Sequence, residues 1–297
     1  MTDFARELMK KIGFDESEQA FFSGCAIKYE DNPFYQELKQ KINEDALGNA
    51  DYIEESLKKL AAETGDHIFA LKAVFVLEAA ELLLPKYLAM GNSEELFYRN
   101  MSDIKVKLNE CKQVRGIYGV STPLCWWASF FQPTLFWLGR LQFEISKFKL
   151  DSYEKNGISL KKDDMVIAVH IPSGEPMKED DCLKAYDLAC DYFKDLYEKQ
   201  GCLIFTCHSW LLFDDHDKFL NPESNIVKFK HQYEILETTY ENVFGNGWRV
   251  FGSGNIEKDP TKLPDHTSLL KAYKKWLCDG NKAGYSYGIR IHKKGDR

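Results

Sequence analysis

The sequence predicts an α/β protein in two parts: an all-helical stretch over residues 1–137, then a mixed sheet flanked by helices over residues 138–297. Two observations predict this division. Before Gly139 the apolar residues recur every three to four positions between helix-ending signals, whereas after it short apolar and β-branched runs alternate with amphipathic stretches. A length of 297 residues also suits two domains better than one.

In the first part Phe4, Leu8 and Ile12 lie one helical turn apart. Asp15 with Glu18 three residues on reads as a capping box opening the next helix. Further helices are expected near 33–43, 51–64 and 67–90, the last containing an apolar core run, Ile68 to Leu84, interrupted by Lys72, Glu78 and Glu81. That run is short for a membrane span, which takes about 20 residues. Gly91–Asn92–Ser93 punctuates the chain, and Ser102 or Asp103 is positioned to cap a helix carrying Ile104, Leu108 and Cys111. Thr122–Pro123 should open a helix in Leu124–Leu138, a segment aromatic on nearly every side and broken or kinked at Pro133.

In the second part the alternation in GRLQFEISKF predicts a half-buried strand, and a polar stretch with Asn156–Gly157 follows. MVIAVHI, Met165–Ile171, reads as a central strand, Lys178–Tyr197 as an amphipathic helix and Cys202–Phe213 as a second buried strand. A helix burying Ile226, Phe229, Tyr233 and Leu236 comes next. Then come a strand at Trp248–Gly252, a helix at Ser268–Cys278 and a last strand at Tyr285–His292. Two apolar strands joined through a helix imply a parallel pair.

The formal net charge of −7 disfavours nucleic acid and anionic membranes as partners. The start, MTDFARELMKK, has no apolar signal region, and none of the eight cysteines forms a Cys-x-x-Cys pair, so a reducing cytoplasmic setting is expected.

Ligands of open α/β sheets gather at the carboxyl ends of strands. His170 and His208 occupy those ends on the two apolar strands, and either imidazole suits general-base work near neutral pH. Glu144, on the neighbouring strand, is placed to orient a histidine, to act as the base, or to pair with Arg140. Cys207 should pack as a buried thiol, since adjacent strand residues face opposite ways. Ser173 and Ser209 lack the Gly-x-Ser-x-Gly elbow. The acidic knot Asp214, Asp215, His216, Asp217 matches no calcium loop and reads as a solvated turn, with no metal expected. The basic end from Arg290 to Arg297 reads as a tail.

The runs LGRLQFE, HIPSG, CHSWLL, PESNIVKF and LPDHTSLLKAY resemble bacterial acyltransferase-domain proteins that pair a helical N-terminal domain with a GNAT-like C-terminal domain. The resemblance implies an N-acyltransferase that takes acetyl-CoA or another acyl-CoA and an amine acceptor. The pantetheine arm would enter between the strands Met165–Ile171 and Leu203–Leu211. It implies Glu144, His170, His208 and Tyr233 as catalytic candidates, Tyr233 protonating the departing thiolate. Val169, Ile171, Ser173, Gly174, Ser209 and Asn225 would hold the coenzyme. The helix after Gly174 nevertheless begins Glu179–Asp180–Asp181, which suits the helix dipole but repels a diphosphate. A non-catalytic binding module on the same fold is therefore the alternative.

Overall fold

The structure, a computed structural model, describes residues 1–155, 157–252 and 258–296. The expectations at Asn156 and Arg297 lie outside the described residues. The chain divides into two compact units, Met1–Trp137 and Leu138–Arg297.

The first unit holds α1 (Asp3–Lys11), α2 (Glu16–Ile27), α3 (Pro33–Glu44), α4 (Ala46–Thr64), α5 (Ile68–Ala89), α6 (Glu94–Arg115), α7 (Leu124–Phe131) and β1 (Leu135–Leu138). The capping box at α2 forms: Glu18 N donates to Asp15 Oδ1 and Asp15 N to Glu18 Oε2, both at 2.9 Å. Two charges that interrupt the apolar run of α5 are buried and neutralised. Lys72 Nζ lies 2.7 Å from Glu54, and Glu78 lies 3.4 Å from Lys39 and 3.6 Å from the terminal amine.

Two expectations here are corrected. Ser93, not Ser102 or Asp103, caps α6, which runs through both of the latter. The Ser102 hydroxyl bonds back to Tyr98 O, and buried Asp103 accepts from Trp126 Nε1 at 2.9 Å. The aromatic segment breaks at Pro133, as expected, but its last residues are not helical: α7 stops before Pro133 and Leu135–Leu138 is extended. Buried Asn100 brackets β1, donating to Leu135 O at 2.8 Å and accepting from Trp137 N at 2.7 Å.

The second unit contains β2 (Leu141–Lys147), β3 (Ser152–Lys155), β4 (Ile158–Lys161), β5 (Met165–His170), α8 (Glu179–Tyr192), α9 (Lys194–Gln200) and β6 (Leu203–Ser209). It continues with α10 (His216–Phe219), α11 (Asn225–Lys230), β7 (Glu234–Tyr240), α12 (Gly247–Phe251), α13 (Ser268–Cys278) and β8 (Gly284–His292). The strands lie in the order β2-β5-β6-β8-β7; β5 and β6 are parallel and the other neighbours antiparallel. On one face Phe143, Ile167, Val169, Phe205 and Cys207 pack with Cys182, Tyr186 and Ala189 of α8. On the other, Val166, Ile204, Tyr287 and Ile289 pack with Tyr153 and Leu160 of the β3–β4 hairpin.

The strand expected at Trp248–Gly252 is a short helix, ended by Gly252 at φ 71°. The helix expected through Leu236 ends at Lys230, and Tyr233 lies in the turn before β7. A departure from helical geometry at Phe193 splits the expected long helix into α8 and α9.

Candidate active site

Strand pairing sets the site. β5 pairs with β2 as far as His170, and β6 pairs with β8 as far as Ser209. Between β5 and β6 the register holds only Ile167 opposite Phe205 and Ala168 opposite Thr206. Among the described residues, no registered pair between the two strands follows Ala168 opposite Thr206. The sheet therefore opens at the carboxyl ends of its parallel pair.

Registered residues share a face, and side chains alternate along a strand. Ala168 and Thr206 face together, so His170 and His208, each two residues further, lie on that face as well. Glu144 joins them, because it is opposite Ala168 across the β2–β5 ladder.

His170 Nε2 and Glu144 Oε2 are 2.8 Å apart, with the side chains 28% and 22% exposed. A carboxylate only accepts, so in this bond the imidazole Nε2–H donates to Glu144. His208 is exposed at its edge and meets the Tyr285 ring at 4.7 Å. The surrounding sheet surface and the Lys149 ammonium hold its pKa below the ordinary range, opposed by Glu237. His208 is therefore neutral at physiological pH.

The remaining candidates spread out. Val169 is buried on the opposite face with its side chain in the α8 core, and Ile171 is partly buried against the same core. Ser173 and Gly174 form the turn after β5. Gly174 has φ 99°, which favours glycine, and open space where a Cβ would project. Arg140, only 5% exposed, shapes that turn by donating from Nε to Pro176 O at 3.0 Å and from Nη2 to Glu175 O at 2.7 Å. Ser209 caps the short turn after β6 by accepting from Leu211 N at 3.2 Å. Asn225 is the exposed first residue of α11.

Tyr233 is buried on the α8 side of the sheet, its hydroxyl 2.7 Å from that of Tyr186. Burial raises its pKa well above the usual phenol value. Cys207 is also on this side and fully packed, with burial pushing its thiol up.

The acidic knot is only in part a solvated turn: Asp214 and Asp217 are exposed, but Asp215 and His216 are buried. Lys230, 4% exposed, reaches Asp214 O at 2.7 Å and Asp217 Oδ2 at 2.6 Å. His216 is fully buried, with Nε2 2.6 Å from Tyr273 OH. Nor is the start of the basic end a tail. Buried His292 lies 2.9 Å from Arg290 Nη2 and 3.0 Å from Asp187 Oδ1. Sequence reading missed the roles of Arg140 and Asp187, because their partners are distant in the chain. Among the described residues no group of three His, Cys, Asp or Glu is arranged to hold a metal ion. Nor is any described helix long and apolar enough to cross a membrane.

In the chain, the helical first unit is followed by a mixed sheet with a central parallel pair. Residues 135–290 match the GNAT-like C-terminal domain family, and residues 3–132 match the N-acyltransferase N-terminal domain family. The chain belongs to this GNAT-like family, with its N-acyltransferase N-terminal domain in front. No curated protein matches it in sequence. Among solved structures, it is similar to an acyltransferase in complex with decanoyl-CoA and teicoplanin, at 17% identity and a TM-score of 0.73, covering 97% of this chain and 87% of that one. An acyltransferase mutant in complex with octanoyl-CoA is likewise similar, at 17% identity and TM-score 0.73, with 97% and 88% covered. At these identities the likeness is one of fold.

Proposed function

We propose that the protein transfers an acyl group from acyl-CoA to the amine of a small molecule or peptide, with His170 as general base and Glu144 as its positioning partner. The observation that carries this reading is the 2.8 Å His170–Glu144 bond beside the place where β5 and β6 stop pairing. The solved acyltransferases of this fold were crystallised with decanoyl-CoA, octanoyl-CoA or CoA, and some also with teicoplanin or 10C-teicoplanin. That supports acyl-CoA as cosubstrate and a small-molecule or peptide acceptor.

The amine nitrogen attacks the thioester carbonyl carbon, the new C–N bond forms and the C–S bond breaks. His170 takes the proton the nitrogen sheds, and the departing thiolate is reprotonated from the imidazolium or from water. Glu144 stabilises that imidazolium. The segment Val169–Gly174 and Ser209, at the carboxyl ends of the parallel pair, border the thioester arm, with Asn225 beside them. His208 is neutral and on the same face, so it is the second candidate for the base. Tyr233 is assigned to the core. Its burial on the opposite side of the sheet and its raised pKa make it a poor donor to the thiolate. The free cysteines support a reducing cytoplasmic setting.

Calorimetric titration with acetyl-, octanoyl- and decanoyl-CoA, followed by thiol-release assays with an amine panel, tests the reading. Saturable binding and amine-dependent thiol release are expected. An absence of binding by every thioester overturns it and leaves the binding-module reading, which the acidic first turn of α8 favours.

A further inference from the structure

We propose that the acceptor is an extended amino-carboxylate: its amine meets His170, its chain crosses the aromatic rings beside His208, and Lys149 holds its carboxylate. The inference rests on the acyl-transfer reading above and names the class of amine that reading leaves open.

His170 and Glu144 lie on the sheet face away from α8, so the acceptor amine reaches the thioester from that face. There His170, His208, Tyr287 and Glu237 fall in one row across β5, β6, β8 and β7. His208 and Glu237 each stand opposite Tyr287, and His170 and His208 follow the pair Ala168–Thr206 by the same two residues. Tyr287 is buried, and half-buried Tyr285, on the same face of β8, has its ring 4.7 Å from that of His208. These rings offer a methylene chain an apolar floor.

The charges along the row differ in sign. The link from β2 to β3 brings the Phe148 ring to 6.1 Å from Tyr287 and Lys149 Nζ to 5.9 Å from the centre of the same ring. Lys149 is exposed, and among the described residues no carboxylate pairs with its ammonium. The carboxylates nearest the start of the row and the hairpin are already engaged: Glu144 by His170, and Glu234 by Lys155 at 3.0 Å and by the Tyr153 hydroxyl at 3.1 Å. Glu237 is exposed on the edge strand, one strand beyond Tyr287. A carboxylate on the acceptor is therefore attracted above Tyr287 and repelled one strand further on. Neighbouring strands lie about 4.8 Å apart, which puts Tyr287 about 10 Å from His170. An ω-amino acid spans that gap, and an α-amino acid does not.

The test measures kcat/KM for thiol release on the full chain, with octanoyl-CoA as donor and octylamine, octanediamine, glycine, ω-aminooctanoate and ω-aminododecanoate as acceptors. Wild type should favour ω-aminooctanoate over octylamine about fivefold, the upper end for an exposed ion pair, with the difference in KM. Lys149→Ala should bring that ratio to about one, and Lys149→Glu should turn the preference toward octanediamine. Glu237→Gln should raise ω-aminododecanoate relative to ω-aminooctanoate. A wild-type ratio of one or less overturns the inference, as does a ratio that survives Lys149→Ala, and in both cases acyl transfer stands. Glycine used as well as ω-aminooctanoate overturns it too. If octanoyl-CoA does not bind, or no amine in the panel releases thiol, the underlying reading fails first.

Discussion

Ala168 and Thr206 form the last registered pair between β5 and β6, although both strands continue toward their carboxyl ends. From there each strand follows its other neighbour, His170 opposite Gln142 and Ser209 opposite Ser286. One feature of register thus produces both the opening and the shared face of the two imidazoles. It also separates Cys207 from them by a half-turn of the pleat, so the thiol faces the α8 core.

His170→Gln should lower kcat for thiol release by about 10²–10⁴, the usual contribution of a general base. Glu144→Gln keeps a hydrogen-bonding side chain but removes the charge that stabilises the imidazolium, and should cost about 10–10² in the same assay. KM for acyl-CoA should move little in either variant. Should His208→Gln carry the large loss and His170→Gln almost none, the base is His208 and the Glu144–His170 pair is structural.

Tyr233→Phe should cost stability and leave catalysis intact. The change removes one partner of a buried hydroxyl pair and strands Tyr186, at about 1–2 kcal/mol in urea denaturation. A fall in kcat of about a hundredfold, at unchanged stability, would instead put Tyr233 at the leaving thiolate.

Gly284→Ala tests how tightly β7 and β8 are joined. A Cβ at Gly284 would overlap Thr239 O and stand 2.9 Å from the Phe213 ring. The nearest atom is backbone and cannot rotate aside, so the strands must separate. A loss of about 3 kcal/mol is expected from equilibrium unfolding. A loss well under 1 kcal/mol would mean that the edge strand β7 yields easily.

The central strands were legible because apolar runs bounded by acidic residues and Pro leave few other readings, as at Met165–Ile171 between Asp164 and Pro172. The pairing of Glu144 with His170 was half legible: sequence placed both at strand ends, but register alone fixes which residues share a face. Tyr233 was misplaced onto a helix because Phe229, Tyr233 and Leu236 fit a helical stripe as well as a turn leading into a strand. The short edge strand β7 carries Glu234 and Glu237 and is only half buried, so it lacks a strong strand pattern. Local sequence does not show that Lys230 closes the acidic knot or that Arg140 holds the carbonyls of Glu175 and Pro176.

His216 should make the second unit acid-sensitive. Burial, with help from Lys230, lowers its pKa from 6.5 to about 4, against opposing contributions from Leu211 backbone and the nearby aspartates. The unfolded chain therefore binds a proton that the folded chain refuses between those two values. The stabilisation is fully present above about pH 6.5 and is lost as pH falls toward 4. A difference of this size corresponds to about 3 kcal/mol over the whole window. His216→Asn gives up the bond to Tyr273 and should be less stable than wild type at pH 7. By pH 4.5 the gap between them should narrow by roughly 2–3 kcal/mol, because asparagine has no proton to refuse. Urea midpoints for both proteins across that range check this. A gap that stays constant with pH would show that the buried imidazole protonates in the folded state as readily as in the unfolded one.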